Sequence, residues 1–249
     1  MATPLPYALD DTHAPALGLI TLQADETIEQ EFRHFFAPEA CKLHITRVPS
    51  APVLTPASIA AMATDLPTAA SLLPTTAQFR CVAYACTSGT AHIGAARVHQ
   101  IIRDTTGASH ATDPMTATRA ALTAVGAKRI AIVSPYTADV AAPLTDGLAD
   151  AGLTTTSVAT FGEAVEANVA RISAASLIDA ARHVAHAAPT DAVFLSCTNL
   201  QTRAIIAPLE AELGIPVISS NTALAWHMAR LAGVPLAAFG QLRDLALTH

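Results

Sequence analysis

Short apolar runs alternate with longer amphipathic ones along the chain. The runs Leu17–Leu22, Leu43–Val48, Cys81–Ala85, Ile130–Ser134, Thr155–Thr160, Val193–Ser196 and Val217–Ser219 predict strands. They are apolar along their length rather than at every second position, the pattern of parallel strands covered on both faces. Helical periodicity predicts helices over Glu26–Phe36, Pro56–Leu73, Thr90–Arg103, Pro114–Val125, Ala138–Ala151, Ala175–Ala187, Thr202–Leu213 and Thr222–Leu231. Asp113 supplies an N-cap ahead of Pro114 at the first helical position, and Asn221 precedes another helix. Gly126, Gly152 and Gly214 fall just past helix ends, where a left-handed residue is wanted. This order predicts an α/β protein whose parallel sheets are flanked by helices.

The pattern also repeats. A strand ending at Leu22 is followed 64 residues later by Cys86-Thr87, and a strand ending at Ser134 is followed 63 residues later by Cys197-Thr198. Two similar lobes are expected, the first from residues 1–110 plus 218–249 and the second from 111–217. Facing lobes would bring both cysteines to the carboxyl ends of strands, the edge at which open α/β sheets bind ligands.

Composition narrows the function. Of 249 residues, 51% are hydrophobic and only 4% aromatic, so Ala, Val, Leu and Ile must fill a sizeable core. A net charge of −6 without a basic run argues against nucleic acid. No stretch of about 18 apolar residues suggests a membrane span. Residues 1–15 hold three prolines and lack an apolar h-region, so a cytoplasmic protein is expected. In that reducing compartment Cys41, Cys81, Cys86 and Cys197 are expected as free thiols. The ten histidines have no cysteine at zinc spacing, which disfavours a structural metal.

Cys86-Thr87-Ser88-Gly89-Thr90 closes a strand and leads into a helix beginning near Thr90. Backbone N–H groups there can meet an anion, and the helix N-terminus is expected to favour a Cys86 thiolate. Gly89 and Gly94 have P-loop spacing, yet Ala95 and Ala96 stand where Lys and Ser/Thr belong, which excludes an NTPase. Cys197-Thr198-Asn199 is the second motif. Taken singly, each motif fits a reactive thiol or a buried small apolar residue equally well. Together they supply two acid/base groups for opposite faces of one carbon, as stereochemical inversion requires. Tyr136, after Ser134-Pro135, is a candidate donor to a carboxylate. Asp25 reads equally as a helix cap or a ligand. Ser219-Ser220-Asn221 reads as a cap, Arg47 and the His183/His186 pair as surface, and Trp226 as core.

The two cysteine motifs are similar to those of the Asp/Glu racemase superfamily, above all its maleate cis–trans isomerase and arylmalonate decarboxylase branch. Gly18-Leu19-Ile20, Ser134-Pro135-Tyr136, Val169-Ala170-Arg171-Ile172-Ser173 and Pro216-Val217-Ile218-Ser219-Ser220-Asn221 support the resemblance, which runs from Leu17 to Val234. It implies two lobes about a pseudo-twofold axis, a site in the cleft between them, and neither metal nor organic cofactor. It implies Cys86 as nucleophile or base and Cys197 as proton donor. Thr87, Ser88 and Tyr136 would hold a carboxylate, with Thr198 and Asn199 lining the site. The decarboxylase pattern has Gly at the first cysteine, so Cys86 favours an isomerase or racemase acting on a small carboxylate, expected as a homo-oligomer. The alternatives are a decarboxylase using one cysteine and a non-catalytic binder. Two positions depart from the isomerase pattern: Asp25 and Glu166 stand where it has Asn. Two acids there suit a substrate bearing an ammonium group, such as an amino acid or its cyclic derivative, better than a dicarboxylate.

Overall fold

A computed structural model describes residues 3–9, 14–237 and 240–244. Parts of the expected first lobe (residues 1–2, 10–13, 238–239 and 245–249) lie outside the described residues. The first sheet comprises β1 (Ala16–Leu22), β2 (Lys42–Val48), β3 (Phe79–Ala85) and β4 (His110–Thr112). The second comprises β5 (Arg129–Ser134), β6 (Thr154–Thr160), β7 (Ala192–Leu195) and β8 (Val217–Ser219). Both are parallel throughout. Their orders, β2-β1-β3-β4 and β6-β5-β7-β8, are the same when each is counted from its own first strand. The repeat in sequence is thus a repeat in topology, and Cys86 and Cys197 follow equivalent strands, β3 and β7.

Eleven helices are described: α1 (Ile28–Phe35), α2 (Pro56–Ser71), α3 (Thr87–Ile93), α4 (Ala95–Thr106), α5 (Pro114–Ala124), α6 (Ala138–Ala149), α7 (Glu166–Val169), α8 (Ala174–Ala187), α9 (Arg203–Leu213), α10 (Ser220–Ala232) and α11 (Gly240–Asp244). The N-cap expected at Asp113 is present, its carboxylate accepting from Thr116 N–H with Pro114 at the first helical position. Gly126, Gly152 and Gly214 all have positive φ at the ends where they were expected.

Four local expectations change. The helix after Cys86 begins at Thr87, not near Thr90, and breaks at Gly94, whose φ of 91° no side chain would adopt readily. Ser219, not Asn221, caps α10 through a reciprocal bond pair with Thr222. β4 was not predicted, because three residues, His110–Thr112, are too short to show a period. β6 is not covered on both faces: it lies at a sheet edge and its Thr-rich residues are largely part-exposed.

Two hydrophobic clusters each draw residues from both lobes, and the second is built around α5 and α10. Leu17, Leu19, Cys81 and Ala83 of the first sheet and Ile130, Ile132 and Phe194 of the second pack on α5 and α10. Trp226 sits there, as predicted, 1% exposed. At about 25 cal/mol per Å² of apolar area, burying α10 between two sheets opposes free sliding of the lobes. The strand ends that carry the cysteines are thereby held toward a shared cleft.

Candidate active site

Cys86 is the N-cap of α3. Its Sγ accepts from Gly89 N–H at 3.1 Å and lies 3.6 Å from Ser88 Oγ. Its carbonyl accepts from Thr90 N–H and Thr90 Oγ1. Cys197 follows β7 in a turn, with Asn199 N–H donating to its Sγ at 3.2 Å. Tyr136 comes from the loop after β5, and its Oη stands 2.7 Å from Cys197 Sγ and 3.1 Å from Glu166 Oε1. Glu166 opens α7, and its other oxygen accepts from Asn199 Nδ2 at 2.8 Å. Cys197, Tyr136, Glu166 and Asn199 therefore form one closed chain of polar contacts.

Asp25 reaches the same region from the β1–α1 loop. Its Oδ1 accepts from Thr27 N–H and Ile28 N–H, closing the turn before α1. Its Oδ2 is buried and has no hydrogen-bond partner. Thr198 is close enough to favour the Asp25 charge, but its hydroxyl is turned to the carbonyl of Ala85 at 3.3 Å. An acceptor so placed is free to meet a donor on a bound molecule. Arg47 is at the surface, as expected, and wraps this loop: its guanidinium donates to the carbonyls of Leu22, Gln23 and Asp25 and pairs with Glu29.

Of the residues singled out in the sequence, Cys86, Cys197, Asp25, Ser88, Tyr136, Glu166, Thr198 and Asn199 converge. Thr87 is adjacent, with its hydroxyl engaged by Ser220 Oγ at 2.8 Å. Two residues were missed. Glu31, on the apolar face of α1, accepts from Thr202 N–H and Arg203 N–H at the start of α9 and from Asn221 Nδ2, clamping the lobes together. An acid among Ile28, Phe32 and Phe35 was the available signal. Tyr84, buried beside Cys86, gave only the signal of a phenol in a covered strand.

The electrostatics differ from one sequence expectation. The α3 N-terminus does not make Cys86 a resting thiolate: burial pushes its pKa up to about 11, against the pull of Ser88 and Gly89. The desolvation of a thiol this deeply buried outweighs the donors at the start of one short helix. Burial also drives Cys197 well above its usual range, and the nearby Glu166 adds to it. Asp25 and Glu166 are raised by burial as well, Glu166 further by Asp25. The site thus joins two thiols and two carboxyls, and among the described residues no cation adjoins either thiol.

Cys86 and Cys197 are 2% and 1% exposed, so the site is closed. Glu26 and Thr27, which contact Asn199, also line a cavity of about 500 Å³ with Glu31, Arg171, Gln201 and Arg203. Neither cysteine lines it. The lobes also meet at an antiparallel bridge between Val53 and Val165.

The arylmalonate decarboxylase family profile matches residues 59–244. The arylmalonate decarboxylase of Bordetella bronchiseptica is 37% identical over 113 residues, covering 45% of this chain and 47% of that protein, about half of each. Among solved structures, a maleate cis–trans isomerase variant from Nocardia farcinica with a covalently bound succinylcysteine intermediate superposes with a TM-score of 0.85 at 23% identity, over 94% of this chain and 99% of that one. Maleate isomerase from Pseudomonas putida S16 with maleate gives 0.83 at 22%, over 94% and 98%. A doubly substituted arylmalonate decarboxylase in the liganded form gives 0.81 at 27%, over 94% and 100%. These likenesses agree on the two-lobed α/β fold.

Proposed function

Because this chain belongs to the arylmalonate decarboxylase family, we propose that it is an enzyme of the isomerase or racemase type, acting on a small carboxylate through Cys86 and Cys197 without a cofactor. The observation that carries the reading is the pair of thiols on equivalent strands, both under the influence of the same Glu166 carboxyl. Retention of Cys86, where the decarboxylase pattern has Gly, favours two-sided chemistry over one-sided protonation.

The roles follow from the contacts. The substrate carboxylate sits against Ser88 and the N–H groups opening α3, and the Thr87 hydroxyl turns from Ser220 Oγ to donate to it. Asp25 Oδ2 and Glu166 take an ammonium or ring N–H carried by the same molecule. That positive charge offsets the carboxyl field that opposes a Cys86 thiolate. Cys86 thiolate removes the proton from the carbon next to the carboxylate, becoming a thiol. The electron pair moves onto the carboxylate oxygens, where the hydroxyl donors stabilise it. Cys197 then gives its proton to the opposite face and becomes the thiolate, with Tyr136 Oη donating to it. The reverse direction exchanges the two roles. Entry requires the interlobe contacts to part, since both thiols are covered in the closed form.

The test is turnover in deuterium oxide with single enantiomers of α-amino acids and hydantoins, and with the achiral arylmalonates and maleate, followed by chiral analysis of the products. The reading predicts loss of optical purity with one deuterium gained at the reacting carbon of an amino acid or hydantoin. Carbon dioxide release from arylmalonate with no racemisation would replace it with the decarboxylase, which the family match supports.

A further inference from the structure

One buried hydroxyl beside this site takes no part in the chemistry above. Tyr84 lies on β3, two residues before Cys86, and is 0% exposed. Its Oη donates to Met62 Sδ on α2 at 3.4 Å. A thioether is a weak acceptor, so a phenol buried on one recovers little of what it lost in leaving water. The hydroxyl has a better acceptor next to it. A methyl group built on Gly89 would stand 2.5 Å from Tyr84 Oη and 2.9 Å from Cys86 Sγ. The missing Cβ of Gly89 is therefore the space across which the two atoms face each other. Both atoms border the one absent side chain of Gly89, and the Tyr84 hydroxyl acts on Cys86 in the sense that favours the thiolate.

We infer that Tyr84 is a positioning residue for Cys86, its hydroxyl turning from Met62 Sδ to the sulfur when the thiol ionises. The ionised sulfur then has three donors: Gly89 N–H, Ser88 Oγ and Tyr84 Oη. Ser88 and Gly89 hold it from the helix side and Tyr84 from the strand side, which fixes its direction toward the cleft. Charge-assisted bonds are about twice as strong as neutral ones, so the contact is worth more to the thiolate than to the thiol. The second lobe has nothing equivalent in sequence, since Leu195 stands two residues before Cys197. There the phenol comes from Tyr136, after a different strand.

The inference rests on Cys86 being a reacting thiol, and its test needs no substrate. Tyr84→Phe in the full chain keeps the ring and removes one oxygen. Alkylation of Cys86 and Cys197 by iodoacetamide is followed against pH by peptide mass spectrometry. On the rising limb, between about pH 7 and 10, the Cys86 rate should fall about tenfold, the equivalent of roughly one pH unit. The Cys197 rate should stay unchanged. An unchanged Cys86 profile overturns the inference, and so does a Cys86 that resists the reagent at every pH in the parent. If Tyr84→Phe does not fold by circular dichroism, Met62→Leu decides. Removing the competing acceptor should raise the Cys86 rate, and a rate equal to or below the parent's overturns the inference. A shifted profile without racemisation would refute the proposed reaction and keep the Tyr84 role; racemisation with an unshifted profile would do the reverse.

Discussion

The two lobes present the same strand–Cys–Thr pattern in different electrical surroundings. Cys86 stands at the start of a helix, with Gly89 N–H and Ser88 Oγ on its sulfur. Cys197 stands in a turn, with α9 beginning only at Arg203, and its sulfur touches Tyr136, which touches Glu166. Donors that stabilise negative charge surround the first thiol. The second is joined through a phenol to an acid. Repetition of the fold supplied two thiols, and the residues around each set apart what it does.

The sharpest way to break this comparison is to remove each sulfur. Cys86→Ser and Cys197→Ser should each lower kcat by about a thousandfold or more, because a serine hydroxyl is far too weak an acid to replace a thiol. Full activity in either variant would end the two-thiol mechanism. Tyr136→Phe should lower kcat by about a hundredfold, within the range for one acid/base or donor contact. It should leave Cys86 alkylation unmoved; slowing of both thiols alike would show that the two surroundings are not separate.

A smaller effect tests the acids through stability. Asp25 titrates above its ordinary value of 3.8 in the folded chain because burial disfavours its charge. Its folded pKa is raised, so the folded protein holds this proton longer than the unfolded chain. That contribution is favourable near and below the raised pKa, and stability falls as pH rises through it. Asp25→Asn removes the charge and keeps the acceptor for Thr27 and Ile28. Its Tm should exceed the parent's by about 2–4 °C at pH 8, and the gap should close toward pH 4. A gap that widens on acidification would mean that Asp25 is held ionised. Asp113, pulled upward by burial but held below its ordinary value by His99 and Thr116, provides the contrast. Losing its charge in Asp113→Asn should lower Tm most at neutral pH, by a similar few degrees.

The fold was legible because β1, β3, β5, β7 and β8 are buried along their length, and such strands announce themselves as largely apolar runs. The cysteines were legible for a related reason: each ends such a run at a point where small hydroxyl residues follow. Pairings across the chain were not. Asn199 meets Glu166 and Glu26 from distant positions, and Glu31 meets the start of α9, and no local period encodes either. The state of Cys86 was misread because a helix N-terminus is visible in sequence, whereas the depth of burial that opposes it is a property of the packed lobes.

Asn199 has one more consequence. Its Oδ1 accepts from Glu26 N–H in the first lobe, while its Nδ2 donates to Glu166 in the second. One amide therefore bonds to both lobes. Separation of the lobes would take Glu26 N–H and the Thr27 hydroxyl away from Asn199, leaving its bond to Glu166 as the one side-chain contact that holds the amide. On the proposed mechanism the amide is then an interlock, braced from both sides, and through it Glu166 and Tyr136 beside Cys197, only while the chamber is shut.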